Sequence, residues 1–324
     1  MADGMRPRIL VTRELPAAGM KLLEQYCEVE TGGANRGLSR RELIGKLADK
    51  DGLVSLLTDQ VDRPVMDASP RLKVISNYAV GYDNIDVEEA TRRGIAVTNT
   101  PDVLTDSTAD MAWALLMDVA RRVTEGDRLN RAGGWTEWAP LFHLGKEVTG
   151  STLGIVGMGR IGRAVARRAK GFDMKICYFS RTRLPEEEER SLGSQFLSLE
   201  ELLATADFVS LHAPYTAETH HLIGRKELTA MKPTAYLINT ARGALVDEEA
   251  LVEAIRKREI AGAGLDVYEK EPKMAPGLSD LEQVVLAPHL GSATRETRDQ
   301  MAATAAENVL SILLGKGKAH RVHA

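Results

Sequence analysis

Three chemically useful side chains stand at or just after apolar segments in the second half of the chain. AYLINTARG contains Arg242, AGAGLDVYEKEP contains Glu271, and VVLAPHLGSAT contains His289. A guanidinium can clamp a substrate carboxylate and polarise the neighbouring carbonyl, and an imidazole can protonate an alkoxide as it forms. A carboxylate beside the imidazole orients it and stabilises its charged form. Together the three residues are suited to the reduction of a 2-oxo acid, although each of them alone is common in structural turns.

A glycine motif points to the source of the hydride. Residues 153–166 read LGIVGMGRIGRAVA and place Gly157, Gly159 and Gly162 in the spacing G-x-G-x-x-G. The motif follows a strand pattern and opens a helix pattern, which is the context that dinucleotide binding requires. Its glycines permit a tight turn, close approach of the backbone to a pyrophosphate, and close helix–strand packing. The sequence therefore predicts a nicotinamide dinucleotide site, and the alternative is a glycine-rich turn without a ligand.

The acid that usually follows this motif is missing. NAD-binding proteins place a carboxylate about 20 residues further on, where it holds the adenosine ribose hydroxyls. Here the strand pattern KICYFS ends in Ser180 and continues as Arg181, Thr182 and Arg183. A small hydroxyl leaves room for the 2′-phosphate of NADP, and a guanidinium fork is suited to bind it. We therefore expect NADP(H) to be favoured and NAD(H) to be possible, with merely solvated arginines as the alternative.

Two series of alternating strands and helices must position these groups. One runs from RILVT to IAVTN, and the other runs from STLGIVG to QVVLAP. The alternation predicts parallel sheets, because parallel strands need crossover connections. Between the series, a long amphipathic helix is expected after Pro101, with Thr105 or Asp106 as its N-cap. We place a domain boundary near residue 100 and expect a last helix over about 294–314 that can pack back on the first series.

Length and composition exclude several classes of function. The chain has 324 residues, of which 44% are hydrophobic and 27% are charged, which fits two soluble globular domains. A net charge of -4 and a pI near 6.0 give no basic footprint for nucleic acid or an anionic membrane. The sequence has neither a signal-peptide pattern nor a run of roughly 20 apolar residues, so we expect a cytoplasmic protein. Cys27 and Cys177 fall in expected strands and should be buried and reduced, and no metal site is expected.

Seven motifs spread over nearly the whole chain carry a family resemblance. In order they are NYAVGYDNID, TPDVLTDSTAD, GGWTEWAPL, GIVGMGRIGRAVARR, NTARGALVDEEAL, GAGLDVYEKEP and PHLGSAT. The chain resembles the D-isomer-specific 2-hydroxyacid dehydrogenase family, and within it the glyoxylate/hydroxypyruvate reductases. The resemblance implies an α/β fold of two doubly wound parallel-sheet domains with a cleft between them. A flavodoxin-like substrate domain would comprise residues 1–99 and 291–324, and a Rossmann dinucleotide-binding domain would comprise residues 100–290.

The same resemblance implies roles for individual residues. The catalytic triad falls on Arg242, Glu271 and His289, with His289 as the general acid. The amides of Val80 and Gly81 would bind the substrate carboxylate, and Asp266 would accept a hydrogen bond from the nicotinamide carboxamide. The substrate contacts are Leu57, Val80, Gly81, Trp138 and Arg242. The cofactor contacts are Thr108, Gly157, Gly159, Arg160, Ile161, Gly162, Ser180, Arg181, Thr182, Pro214, Thr240, Asp266 and Gly291.

The implied function is an NADPH-preferring reductase of small 2-oxo acids, converting glyoxylate to glycolate and hydroxypyruvate to D-glycerate. It would act as a homodimer joined through its nucleotide-binding domains, with Trp138 reaching the neighbouring subunit's active site. The alternative for Trp135 and Trp138 is interface or core packing. The Leu56-Leu57-Thr58 loop and the tryptophans indicate a small, partly apolar pocket.

Other functions on the same scaffold stay open. They are a dehydrogenase for D-lactate, D-glycerate or a bulkier 2-oxo acid, a formate or phosphite dehydrogenase, and a phosphoglycerate dehydrogenase, which usually carries an appended regulatory domain. A dinucleotide-sensing corepressor would be a binding protein that keeps the triad. Turnover of glyoxylate separates the enzymes from such a sensor.

Overall fold

The computed structural model describes residues 6–33 and 36–322. The chain forms two compact units, one of Met1–Leu104 with Ala293–Ala324 and one of Thr105–Ser292. These limits lie slightly C-terminal to the predicted ones at residues 99 and 290. Each unit has its own parallel sheet with helices, which confirms the predicted fold class.

The first unit is built on a five-stranded parallel sheet with the order β2-β1-β3-β4-β5, which is the flavodoxin-like order. Its strands are β1 (Arg8–Val11), β2 (Glu28–Thr31), β3 (Gly52–Ser55), β4 (Val74–Asn77) and β5 (Ala96–Thr98). The intervening helices are α1 (Ala17–Tyr26), α2 (Arg40–Leu47), α3 (Arg63–Asp67) and α4 (Val87–Arg92). Strands β3 and β4 are buried at every position, as expected of central parallel strands that are covered on both faces.

The second unit opens with two helices and continues as a seven-stranded parallel sheet. The strand order is β12-β11-β10-β9-β6-β7-β8, which is the Rossmann order with one further strand. The strands are β6 (Thr152–Val156), β7 (Lys175–Phe179), β8 (Ser194–Phe196), β9 (Phe208–Leu211), β10 (Tyr236–Asn239), β11 (Gly262–Leu265) and β12 (Val284–Leu286). The helices are α5 (Thr105–Arg121), α6 (Val123–Arg131), α7 (Arg160–Ala169), α8 (Glu186–Leu192), α9 (Leu199–Thr205), α10 (Arg225–Ala230) and α11 (Glu248–Arg256).

The last helix, α12 (Arg295–Leu314), belongs to the first unit and packs on α1 and β4. Its residues Met301, Ala305 and Val309 share a buried cluster with strand residues such as Ile9. The approach to α1 is close, since a Cβ on Gly19 would lie 2.5 Å from the carbonyl oxygen of Ala302. Glycine at this position therefore sets the distance between the two helices.

Several local predictions differ from the structure. The long helix expected after Pro101 breaks into α5 and α6 at Arg122, whose φ of 56° is left-handed, and Thr105 is already helical rather than an N-cap. Cys27 follows the end of α1 instead of lying in a strand, whereas Cys177 lies in β7. Both cysteines are buried and free, as predicted.

Two features are not found in the described part of the chain. None of its helices is both long and apolar enough to cross a bilayer. Its His, Cys, Asp and Glu side chains do not assemble into a group of three or more that could hold a metal ion.

Candidate active site

The imidazole of His289 and the carboxylate of Glu271 form a hydrogen-bonded pair. His289 Nδ1 lies 2.9 Å from Glu271 Oε2, and each side chain is 27% exposed. The other carboxylate oxygen accepts a bond of 3.1 Å from the backbone N–H of Tyr268. Burial opposes ionisation of Glu271, but His289, the Tyr268 amide and the charge of Arg242 together lower the pKa of this carboxyl group. Glu271 is therefore held as a carboxylate that keeps the proton on Nδ1 and leaves Nε2 for a substrate.

The backbone at His289 has an unusual conformation. Its φ of 56° lies in the left-handed region, which non-glycine residues seldom occupy. Asp266, which is fully buried at the end of β11, holds the following turn, because its two oxygens accept from Leu290 N at 2.6 Å and Gly291 N at 2.7 Å. Two charge-assisted bonds thus stabilise a conformation that the chain would otherwise avoid.

Arg242 lies on the loop that leaves β10. Its guanidinium donates to the carbonyl of Ala241 at 2.9 Å, and its own carbonyl accepts from Asn239 Nδ2 at 2.8 Å. Arg242 also contributes to the lowered pKa of Glu271. The second unit therefore brings the three predicted catalytic residues together at the carboxyl ends of β10, β11 and β12, the edge where open α/β sheets bind ligands.

The glycine motif forms a cradle that fits a dinucleotide. Gly157 has φ 97°, and a Cβ on it would lie 2.5 Å from the backbone N of Ala213. A Cβ on Gly162 would lie 2.2 Å from the carbonyl oxygen of Gly157, whereas a Cβ on Gly159 would meet nothing within 4 Å. The first and third glycines are thus required by packing, and the second leaves open space at the N-terminus of α7. Arg160 and Ile161 begin that helix, whose free N–H groups favour a pyrophosphate.

The loop after β7 separates the two arginines that the sequence analysis considered together. Arg181 and Thr182 are exposed, and Ser180 Oγ donates to the carbonyl of Thr182 at 2.5 Å. Arg183 instead forms two bonds of 2.9 and 2.8 Å with Glu189 and lies over the Phe196 ring. Both arginines are exposed, and Arg183, whose side chain is 61% exposed, is the one whose guanidinium is paired with Glu189.

Three of the predicted cofactor contacts lie together. A Cβ on Gly291 would lie 3.2 Å from Asp266 Oδ2 and 3.4 Å from Thr108 Cγ2, so these three residues adjoin one another. Thr240, at the end of β10, has a buried hydroxyl without a hydrogen-bond partner among the described residues, and Pro214 lies exposed in the loop after β9. A buried polar atom without a partner is costly, and a bound ligand at this edge would satisfy it.

The predicted substrate contacts of the first unit lie on two loops that share a buried polar network. Leu57 follows β3, and Val80 and Gly81 follow β4. Asn77 Nδ2 donates to the carbonyl of Gly81 at 2.8 Å and to Asn84 Oδ1 at 3.0 Å. Asn84 Nδ2 in turn donates to the carbonyls of Leu56 and Asp59 at 3.0 and 2.9 Å. Motif matching missed this network, although a fully buried asparagine ending the apolar strand VISN is a signal for it.

The segment GGWTEWAPL carries several of the most exposed large apolar side chains of the second unit. Trp135 is 55% exposed, Trp138 is 77% exposed and Leu141 is 84% exposed. Apolar side chains in such a cluster are typical of an interaction site. Core packing within the chain, one of the alternatives for Trp135 and Trp138, is therefore wrong.

Comparison with known proteins relates the chain to one family. The profile of the family described as D-isomer specific 2-hydroxyacid dehydrogenase, NAD binding domain, matches residues 113–291. A glyoxylate reductase of Thermococcus litoralis is 52% identical over 316 residues, covering 96% of this chain and 95% of the relative.

Solved structures agree with the sequence relatives. The TT0316 protein from Thermus thermophilus superposes with a TM-score of 0.91 at 50% identity, covering 98% of this chain and 100% of that one. An NADPH-dependent glyoxylate/hydroxypyruvate reductase from Sinorhizobium meliloti, solved in complex with NADP and malonate, gives a TM-score of 0.85 at 33% identity, covering 98% and 99%. With the fold and the residue constellation described above, these matches show that the chain belongs to the D-isomer specific 2-hydroxyacid dehydrogenase family.

Proposed function

We propose that this protein is an NADPH-preferring reductase of small 2-oxo acids, with glyoxylate and hydroxypyruvate as its substrates. The observation that carries the proposal is the Glu271–His289 pair beside Arg242, in a unit whose glycine cradle fits a dinucleotide. The glyoxylate reductases among its relatives support the substrate class. A dehydrogenase that forms D-lactate, or one that reduces a bulkier 2-oxo acid, could use the same triad. The triad therefore does not identify the side chain of the substrate, which a substrate panel must determine.

The chain's own residues would bind the acid and move one proton. Arg242 binds the substrate carboxylate and draws electron density from the adjacent carbonyl. When bound, the reduced nicotinamide supplies the hydride. His289 donates the proton from Nε2 to the carbonyl oxygen as charge develops there. Glu271 keeps hold of Nδ1 throughout, which stabilises the protonated ring before transfer and orients it. The assignment of the Val80 and Gly81 amides to the substrate carboxylate also stays a prediction.

The cofactor would lie along the glycine motif, with the helix α7 N-terminus at its pyrophosphate. Thr108, Thr240, Asp266 and Gly291 would contact its nicotinamide end, and Asp266 has further lone pairs for the carboxamide beside those used by Leu290 and Gly291. At the adenosine end, Ser180, Arg181 and Thr182 present two hydroxyls and one guanidinium. The NADP-bound reductase from Sinorhizobium meliloti supports this choice of dinucleotide.

A substrate panel tests the proposed function. Purified protein with NADPH should consume glyoxylate and hydroxypyruvate with higher kcat/KM than pyruvate or longer 2-oxo acids, followed as the loss of absorbance of the reduced nicotinamide. Nucleotide binding with negligible turnover of every acid would instead support the dinucleotide-sensing alternative. A higher kcat/KM for a bulky 2-oxo acid would assign the protein to another dehydrogenase of the family.

We further propose a homodimer joined through the nucleotide-binding units, in which the segment around Trp138 contacts the partner subunit. The exposure of Trp135, Trp138 and Leu141 supports this assembly, because apolar side chains in water favour a protein interface.

Trp138→Ala should change the order of preference among 2-oxo acids if the indole borders the partner's substrate pocket. We expect kcat/KM for hydroxypyruvate relative to glyoxylate to change by roughly 5- to 30-fold, since about one or two kcal/mol of apolar contact is lost. Trp135→Ala serves as the matched control in the same segment, and sedimentation reports whether either variant is still a dimer. An unchanged substrate profile in dimeric Trp138→Ala would show that this indole only packs at the interface.

A further inference from the structure

The loop that carries Glu271 is fastened at both ends by one carboxylate, that of Glu248. Glu248 is the first residue of α11, and it is only 4% exposed. Its Oε1 accepts from the backbone N–H of Glu269 at 2.6 Å, and its Oε2 accepts from that of Ala275 at 2.9 Å. Glu271 lies between these two amides. Both oxygens of Glu248 are thus used on the segment that presents the catalytic carboxylate.

The same loop contacts the other two catalytic segments. A Cβ on Gly243, the residue after Arg242, would lie 1.8 Å from the carbonyl carbon of Tyr268, so the two backbones are in direct contact. The hydroxyl of Tyr268 donates to the carbonyl of Ala287 at 2.9 Å, two residues before His289. A displacement of the loop would therefore be felt at each member of the triad.

Helix capping does not explain Glu248. Asp247 already caps α11, with its Oδ1 accepting from the Ala250 N–H at 2.9 Å. A buried carboxylate is retained at low cost only where hydrogen bonds satisfy it. For Glu248 those bonds come from the loop amides at 269 and 275, with the positive end of α11 adding to them.

We propose that Glu248 is a positioning residue that holds Glu271 Oε2 in register with His289 Nδ1. The inference rests on the proposed function, because it assigns that pair to the proton transfer. Glu248 acts through the 269–275 backbone and touches neither substrate nor cofactor. Arg242 and Asp266 are other charged groups that act on the pair.

Glu248→Gln and Asp247→Asn form a matched pair of variants. Each replaces a carboxylate by the isosteric amide at the start of α11, but only the first turns an NH₂ group toward a loop N–H. Glu248→Gln should lower kcat by about 10- to 100-fold, the cost of a displacement near 1 Å in a catalytic group. Its KM for NADPH should stay within about twofold of the wild type, because the cradle is untouched. Asp247→Asn should keep wild-type kcat, since asparagine caps helices as well as aspartate does.

The pH profile separates positioning from a general loss of stability. A displaced Glu271 no longer favours the protonated imidazole, so the alkaline limb of the kcat–pH profile of Glu248→Gln should move to lower pH. Should this variant not fold, Glu248→Asp keeps both acceptor oxygens and withdraws them by one methylene, and the same shift is expected. A folded Glu248→Gln variant with the wild-type pH profile, or one whose lower activity reflects only a smaller folded fraction, overturns the proposal.

An NMR titration of the His289 imidazole distinguishes this inference from the proposed function. If the wild type reduced no 2-oxo acid, the proposed function would fail. The titration of His289 would still differ between wild type and Glu248→Gln if Glu248 positions the pair, and identical titrations would reject the positioning role.

Discussion

His289→Ala is expected to lower kcat for glyoxylate reduction by about 10²- to 10⁴-fold, the range that a positioned general acid contributes. Without the imidazole, the alkoxide must take its proton from water. Affinity for NADPH should change little, because the glycine cradle and the loop after β7 are separate from this side chain. Stopped-flow turnover and fluorescence titration of NADPH measure the two effects independently.

His289→Asn is the sharper version of this variant. Asparagine tolerates the left-handed backbone that the structure shows at residue 289, so the turn held by Asp266 should persist. Its amide cannot act as a proton donor of suitable acidity, and a loss of kcat similar to that of His289→Ala is expected. His320→Ala, which removes an exposed imidazole of the first unit, should have wild-type kinetics. Activity retained in both variants at residue 289 would mean that another acid protonates the product.

Arg181→Ala is expected to raise KM for NADPH by roughly 10- to 100-fold, while KM for NADH changes by less than about twofold. A charge-assisted hydrogen bond contributes about 1.5–3 kcal/mol, and tenfold in affinity corresponds to about 1.4 kcal/mol. Arg183 should not replace the lost guanidinium, because it is paired with Glu189 and lies over the Phe196 ring. Steady-state kinetics with each cofactor at saturating glyoxylate measure the change.

Arg190→Ala provides the control for Arg181→Ala. Arg190 is an exposed arginine of α8 that pairs with Glu186 at 3.4 Å, and its removal lowers the positive charge of the region equally. The ratio of the two KM values should then stay at its wild-type value. Equal KM values for NADPH and NADH in the wild type would already refute the predicted preference.

The sequence predicted the long-range architecture because hydrophobic alternation fixes strands and their crossovers. Strands such as β3 and β4 read as short apolar runs, and their alternation with helices predicts parallel sheets, whereas the flavodoxin-like and Rossmann types were expected only from the family resemblance. The break at Arg122 was not predictable, since the amphipathic pattern continues through it and only a left-handed φ separates α5 from α6. Helices α3 and α4 have five and six residues, which is too short for a periodic signal.

Some residues of the candidate site were likewise predictable from the sequence, and others were not. Residues proposed to contact a ligand through a fixed chemical group, such as Arg242 and His289, are visible in motifs. Residues that act on backbone amides are not, because Glu248 in VDEEAL has the sequence pattern of an ordinary acid in a first helical turn. The different surroundings of Arg181 and Arg183 were also not predictable. They depend on Glu189, which lies in an acidic stretch whose sequence pattern is that of a solvent-exposed surface.

The left-handed backbone at residue 289 destabilises the fold at the position where the proposed reaction needs a histidine. A non-glycine side chain in this conformation costs on the order of 1–2 kcal/mol, so glycine or asparagine would relax the turn. Selection of variants for heat resistance alone would therefore favour replacement of His289, whose imidazole the proposed reaction needs. A library screened only for thermal survival should be enriched in folded but inert proteins at this position.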